Sequence, residues 1–428
     1  MTRDGRARGG GDRVRRLSDT EALFAHAHAL TGAGRITTSF TVDGRFPPDR
    51  VERAVRRWAG RLPLLSLRIA GTGDELCFRS PATGHAPGDT VPGPGDGERL
   101  WGLRVGHGPS GATRFTLSLH PAIGDAHSAG RLVRLLLDAL LGTPHTGSAG
   151  PDREALPPDT DDLTYEAGNG CACGGCGSPA PAPARRTAHP GAGRPYAQEE
   201  GRGEGAVSGG RADGAVTLAL TARESRRLRD WCAQRRVTVG GYLTTVLADA
   251  LARETGRSEV TVATAMSLRR RYAERALITE PGCVQTLVAT RLRAGTRGEP
   301  LRWARAHAAA LCSARRAWRP ARCGHAAVRR AVERAALSRA PELRLVDAGC
   351  FDTVLGAHAA RVTALHTVTG HGGGAPGGSL CLSTFKGGLT LALSPRGPGE
   401  RWAALAEREL RAAVLPQRAL TTLVRVHG

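Results

Sequence analysis

The sequence predicts a mixed α/β fold built as two units of comparable size. Strand-like and helix-like hydrophobic patterns alternate in both halves of the chain. A long stretch dense in glycine, proline and alanine separates those halves. The length, 428 residues, accommodates two or three ordinary domains or one large two-lobed protein with ample core.

The first unit, residues 17–142, follows a polar and basic stretch, residues 1–16, that reads as a flexible tail. "LSDTEALFAHAHAL" opens on Ser18 with Glu21 three residues on, the signature of a capped helix start. "RITTSFTVDG" reads as a strand, and "PPDRVERAVRRWAGRL" as a helix with Pro48 near its first turn. "LPLLSLRIA", "ELCFR" and "LWGLRVG" read as strands. "RFTLSLH" is another, and it runs into the loop "SLHPAIGDAHSAG". "SAGRLVRLLLDALLG" is a helix that stops at Gly142.

From 143 to 213 apolar periodicity disappears. Such a stretch buries too little apolar surface to offset its ordering entropy, so it is predicted to be a linker. It carries Cys171, Cys173 and Cys176 in "CACGGC", with His189 beyond. A zinc site wants four ligands at set spacing and no second CxxC follows, so no metal is expected.

The second unit, residues 214–428, begins with the strand "AVTLAL" and the helix "TARESRRLRDWCAQRR", where Thr221 and Glu224 form another capping box. "TVGGYLTTVLADALARETG" is a helix ending at Gly256, and "EVTVATAMSLRRRY" a strand running into Arg269, Arg270 and Arg271. "VQTLVATRL" is a strand and "LRWARAHAAALCSARRAW" a helix. The late strands are "RVTALHTV", "SLCLSTF" and "LTLALSP". "ERWAALAERELRAAV" closes the fold as a helix.

The charge is lopsided: Lys+Arg 60 against Asp+Glu 39, a formal net charge of +21. Almost all of the positive charge is arginine, with Lys386 the only lysine, which fits a composition bias better than a site. The arginines are scattered, with neither aromatic interleaving nor a recognition motif, so nucleic acid is not expected as a partner. A basic surface still attracts acidic proteins. No apolar run approaches the roughly 20 residues of a membrane span, and the N-terminus lacks an apolar signal core. The expected location is cytoplasmic, with the ten cysteines mostly reduced.

The stretch His120-Pro121-Ala122-Ile123-Gly124-Asp125-Ala126-His127-Ser128, set between a strand and an apolar helix, resembles the His-His-x-x-x-Asp-Gly motif of the condensation-domain superfamily. That superfamily includes condensation domains of non-ribosomal peptide synthetases, polyketide-associated acyltransferases and chloramphenicol acetyltransferase. "LSDTEALFAHAHAL" with "FTVDGRFPPDRVERAVRRWAGRLPLLSLRI" looks like the opening of the acyltransferase branch. "TVGGYLTTVLADALARETGRSEVTVATAMSLRRRY" resembles its second-lobe helix and strand, and "LCLSTFKGGLTLALSP" its late hairpin. "LRLVDAGCF" sits where that branch often has a Ser-Asn-x-Gly turn.

The resemblance implies two chloramphenicol-acetyltransferase-like lobes forming a V with a tunnel between them. It implies an acyl or aminoacyl donor held on the phosphopantetheine arm of an acyl or peptidyl carrier protein, and a small-molecule acceptor. No cofactor would be bound by the chain itself. In the family the second His is the general base, a task suited to an imidazole titrating near neutrality. The Asp pairs with an arginine of the second lobe.

Here the first His is His120 and the second position holds Pro121, which has no proton-accepting side chain. His120 and Asp125 are the candidate catalytic-motif residues, His127 and Ser128 the candidate substrate contacts, and Arg269 the structural partner of Asp125. Ser128 also suits a helix N-cap. His366 and His371 are expected to be packing or loop residues. Two functions remain open: an acyltransferase of natural-product assembly, or a catalytically silent relative that binds a carrier protein or product. Pro121 leaves open whether the chain is an enzyme.

Overall fold

A computed structural model of the chain describes residues 13–72, 75–80, 100–108, 111–142, 160, 215–271, 280–293, 300–320, 322–338, 342–370, 376–396 and 399–414. The expected linker, its CACGGC segment and His371 lie outside the described residues, apart from Thr160. Thr160 is buried, and its hydroxyl donates to Ser18 Oγ at 3.3 Å.

In the first half, β1 (Arg13–Arg16) precedes α1 (Asp19–Thr31), β2 (Ile36–Val42) and α2 (Pro48–Gly60). Then come β3 (Arg68–Thr72), β4 (Glu75–Arg79), β5 (Trp101–His107), β6 (Thr113–Leu119) and α3 (Ala126–Leu141). The second half runs β7 (Val216–Leu220), α4 (Ala222–Gln234), α5 (Val239–Thr255), β8 (Glu259–Ser267), β9 (Gln285–Arg293), α6 (Pro300–Ala317) and α7 (His325–Leu337). It continues with β10 (Glu342–Cys350), α8 (Phe351–Leu355), β11 (Val362–Thr369), β12 (Gly377–Phe385), β13 (Gly388–Arg396) and α9 (Gly399–Val414).

The helix starts follow the local chemistry. Ser18 Oγ accepts from the Glu21 N–H at 3.1 Å while Glu21 Oε2 accepts from the Ser18 N–H at 2.8 Å. Thr221 and Glu224 repeat the arrangement. Gly142 and Gly256 end α3 and α5 in the left-handed region, at φ +71° and +62°. In β6 the even alternation buries Thr113, Phe115, Leu117 and Leu119 on one face.

A four-stranded antiparallel sheet, in the order β11-β2-β6-β5, carries the first unit, beside a small sheet β1-β4-β3. A six-stranded sheet, β7-β13-β12-β10-β8-β9, carries the second. Its centre, β10, is parallel to both neighbours. One face of that sheet, through Leu343, Leu345, Leu380 and Leu391, packs into a core with α5 residues such as Leu247 and Leu251. The opposite face, through Val346, Ala348 and Cys381, joins the core that holds Phe115, Leu117, Leu132 and Leu136 of the first unit.

Four sequence expectations are corrected. Arg13–Arg16 forms a strand against β4, so the tail ends earlier than residue 16. Pro63–Ser66 is a 3-10 turn before β3, because Pro63 and the dense apolar run seal the end of α2 and do not extend. "RVTALHTV" does not stay in the second unit: β11 pairs with β2 from Val362↔Val42 to Thr369↔Ile36. The stretch "LRLVDAGCF" forms most of the central strand β10 and the first residue of α8. The helix α7 was not anticipated at all. It docks on the first unit through His325, which accepts from the Leu76 N–H at 2.9 Å and donates through Nε2 to Leu17 O at 2.9 Å.

Candidate functional site

At the end of β6 the chain turns through His120, Pro121 and Ala122. The His120 N–H donates to Leu100 O at 2.6 Å and the Ile123 N–H returns to His120 O at 3.1 Å. Pro121 fixes its own φ and offers no donor, so the next free amide, Ala122, donates to His120 Nδ1 at 3.1 Å. With Nδ1 accepting, the neutral imidazole carries its proton on Nε2. Burial pushes the His120 pKa down to about 3, with His28 and Arg35 adding charge repulsion. The His28 ring stands edge-on with its centroid 4.5 Å away. A ring held this way has no free lone pair for an acceptor's proton. The placement of His120 therefore argues against its acting as a general base.

Five residues on, Asp125 caps α3. Its Oδ1 accepts from the Ser128 N–H at 2.8 Å, from Ser128 Oγ at 2.7 Å and from Arg269 Nη2 at 2.8 Å. Asp125 and Arg269 are each 3% exposed. Burial raises the Asp125 pKa, but the Arg269 charge and the three hydrogen bonds outweigh it and hold the carboxyl below its ordinary value.

Arg269 sits in a 3-10 turn, Arg269–Arg271, after β8. Its Nη1 also donates to Glu280 O at 2.6 Å, and its Nη2 to Gly282 O at 3.1 Å. Ser128 Oγ accepts from the Gly282 N–H at 3.0 Å and lies 2.8 Å from Gly282 O. The result is a buried polar joint between the start of α3 and Arg269, Glu280 and Gly282 of the second unit. Ser128, expected as a substrate contact, is fully buried inside it.

His127 is half-buried. Burial first and Arg269 second lower its pKa. His366 lies on β11, opposite Ser39, and burial lowers its pKa too.

Pro121 is buried against the turn after α1. A Cβ placed on Gly34 would lie 3.3 Å from both Pro121 Cβ and Cγ, and 3.8 Å from Arg344 Nη1. Arg344, on β10, is therefore a cation close to Pro121. Sequence reasoning missed it, as it missed Gly282, His28 and Arg35. In "ELRLVD" an arginine between leucines looks like any outward strand residue, and Gly282 works through its backbone alone.

Among the described residues there is no cluster of three or more His, Cys, Asp or Glu that could hold a metal ion. None of their helices is long and apolar enough to cross a membrane.

No protein-family model matches the sequence, and no curated protein matches it. Solved structures do. The chain is similar to polyketide synthase associated protein 5 from Mycobacterium tuberculosis, with a TM-score of 0.60 at 14% identity over 95% of this chain and 98% of that one. It is similar to the first condensation domain of the CDA synthetase, with a TM-score of 0.58 at 15% identity, covering 94% and 95%. It is also similar to a trichothecene 15-O-acetyltransferase from Fusarium sporotrichioides, with a TM-score of 0.60 at 11% identity, covering 94% and 95%. The chain shares the two-lobed α/β fold of these condensation-domain and acyltransferase structures over nearly its whole length.

Proposed function

We propose that this chain is a condensation-like acyltransferase of natural-product biosynthesis. It would take an acyl or aminoacyl group from the phosphopantetheine thioester of an acyl or peptidyl carrier protein and pass it to a small acceptor. The observation that carries this reading is the buried joint of Asp125, Arg269, Ser128 and Gly282. It fixes the motif loop between two units of a fold that condensation domains and acyltransferases share. The net charge of +21 suits an acidic carrier protein.

The reaction forms a C–N or C–O bond at the thioester carbonyl carbon and breaks its C–S bond. The acceptor's proton ends on the departing thiolate. Neither His120, with Nδ1 occupied, nor Pro121 takes that proton in transit. An amine attacks as the neutral free base and sheds its proton afterwards, whereas a hydroxyl needs deprotonation during attack. The site therefore favours amide formation, with rate drawn from orientation and electrostatic stabilisation.

A second reading has its own observation. Pro121 at the base position and the low pKa of His120 fit a catalytically silent relative that only binds its carrier or product.

Incubation with acyl-loaded carrier proteins and amine acceptors, read by intact-protein mass spectrometry, separates the two. Slow wild-type transfer above the enzyme-free rate is expected. Pro121→His should raise it by about 10²–10⁴-fold by restoring a base, and His120→Ala should leave the wild-type rate within a few-fold. Transfer abolished by His120→Ala would overturn the account of His120. Carrier binding without transfer in either the wild type or Pro121→His establishes the silent reading.

A further inference from the structure

Arg344 is a poorly satisfied cation in the interior of the described residues. Its side chain is 12% exposed, and among the described residues its guanidinium makes no hydrogen bond. Nε is fully buried without a partner. The nearest carboxylate, Glu342 Oε1 on the same strand, stands 4.0 Å from Nη2, beyond hydrogen-bond reach, and is itself 35% exposed. Taking a charge from water without a hydrogen-bonding partner is unfavourable, so a fold keeps such a group when something binds it.

Its surroundings fit a ligand. Strand alternation puts Arg344 on the same face of β10 as Val346 and Ala348, the face that meets the first unit. Its registered neighbour on β12 is Ser379, whose hydroxyl lies 2.5 Å from Thr369 Oγ1. Near Arg344 stands Gly34, where a Cβ would press on Pro121 at 3.3 Å and come into ordinary contact with the guanidinium at 3.8 Å. Nη1 and Nη2 make no hydrogen bond, with only the Glu342 carboxylate 4.0 Å from Nη2, and neither is among the fully buried atoms without a partner as Nε is.

The geometry points to an oxyanion-binding site at Arg344, between the two units and beside Pro121, whose ligand is the carboxylate of a small acceptor. A planar carboxylate matches the guanidinium fork and supplies the two acceptor oxygens that the fold withholds. Arg344 is thus a positioning residue for an acidic small molecule. The inference adds a ligand class to the proposed function, and it is tested without any transfer reaction, so either can fail alone.

The test uses the full chain in low-salt buffer, with N-acetylglycine, its neutral amide N-acetylglycinamide and inorganic phosphate as probes, followed by ligand-observed NMR. N-acetylglycine should bind saturably and the amide should not. Arg344→Gln and Arg344→Met should weaken acid binding by roughly tenfold or more, the scale of a lost charge-assisted pair. Glu342→Gln should strengthen it, by removing the neighbouring negative charge. Arg344→Met should also raise the melting temperature, by about 2–4 °C, because it removes a buried charge that has no hydrogen bond. Unchanged binding in Arg344→Gln, or a lower melting temperature in Arg344→Met, overturns the site. Phosphate binding without acid binding overturns the carboxylate and assigns the site to a phosphate group.

Discussion

At His120 the ring's neighbours settle its protonation, and with it a pH dependence. The folded pKa is depressed to about 3, against about 6.5 for a free imidazole. The folded state therefore prefers the neutral ring. The stability this group contributes is complete above pH 6.5 and is lost as pH falls from 6.5 towards 3. Between pH 7 and pH 5 the loss from this one group is about 2 kcal/mol. His120→Asn places an amide oxygen near the Nδ1 position and cannot titrate. Urea unfolding of that variant should show a pH 7-to-5 loss smaller than wild type by about that amount, and equal slopes would show that the imidazole is not sealed. Asp125 is the other decisive residue. Asp125→Ala leaves Arg269 buried against two carbonyls without its carboxylate, so unfolding experiments should record a loss of about 3–5 kcal/mol. This contact was legible through the family resemblance, which implied an Asp–Arg pair between the units, and the place of Arg269 straight after a strand singled it out from its cluster. The fate of His120 was not, because it depends on an amide freed by the proline and on His28, 92 residues earlier in the chain.

Among the elements, β11 shows where local pattern stops being informative. Its alternation marks a strand, but periodicity fixes a residue's local state and not its partner strand. Two strands of equal hydrophobicity can go to different sheets, and β11 completes the first unit's sheet while β12 stays in the second. The helix α7 stayed hidden for a related reason. Gly324 at its start supplies no side-chain cap, and its apolar stripe is thin, with Val328 and Val332 as its buried valines. Thr38 on β2 and Thr367 on β11 offer a test of the strand placement. Both are fully buried and their hydroxyls are 2.9 Å apart. Thr38→Val or Thr367→Val alone strands the other hydroxyl and should cost about 1–3 kcal/mol. The double valine variant removes both groups and should be clearly more stable than the sum of the single losses predicts. Additive losses in a double-mutant cycle would place these strands apart.

For the molecule as a whole, the two units are bound into one folding body. The β11–β2 ladder crosses between them, and so does the Asp125–Arg269 joint. Asp19 Oδ2 accepts from the N–H groups of Cys323 and Gly324 at 2.7 and 2.9 Å. Phe351 and Leu355 lie in the same core as Leu132 and Leu136. A first unit cut off at 142 lacks an edge strand of its sheet, the docked α7 and the counter-ion of Asp125, which together outweigh the net stability of an ordinary domain. A protease site engineered after Gly177 makes this measurable. After cleavage the two pieces should co-elute on size exclusion and unfold in urea as a single transition, near the midpoint of the uncut chain. Residues 13–142 expressed alone should give the flat near-ultraviolet circular dichroism of an unfolded chain, and should regain signal on adding residues 215–428. A first fragment that folds by itself, or a cut protein that elutes as two separate species, would mean that the strand exchange and the buried ion pair contribute far less to cohesion than their burial implies.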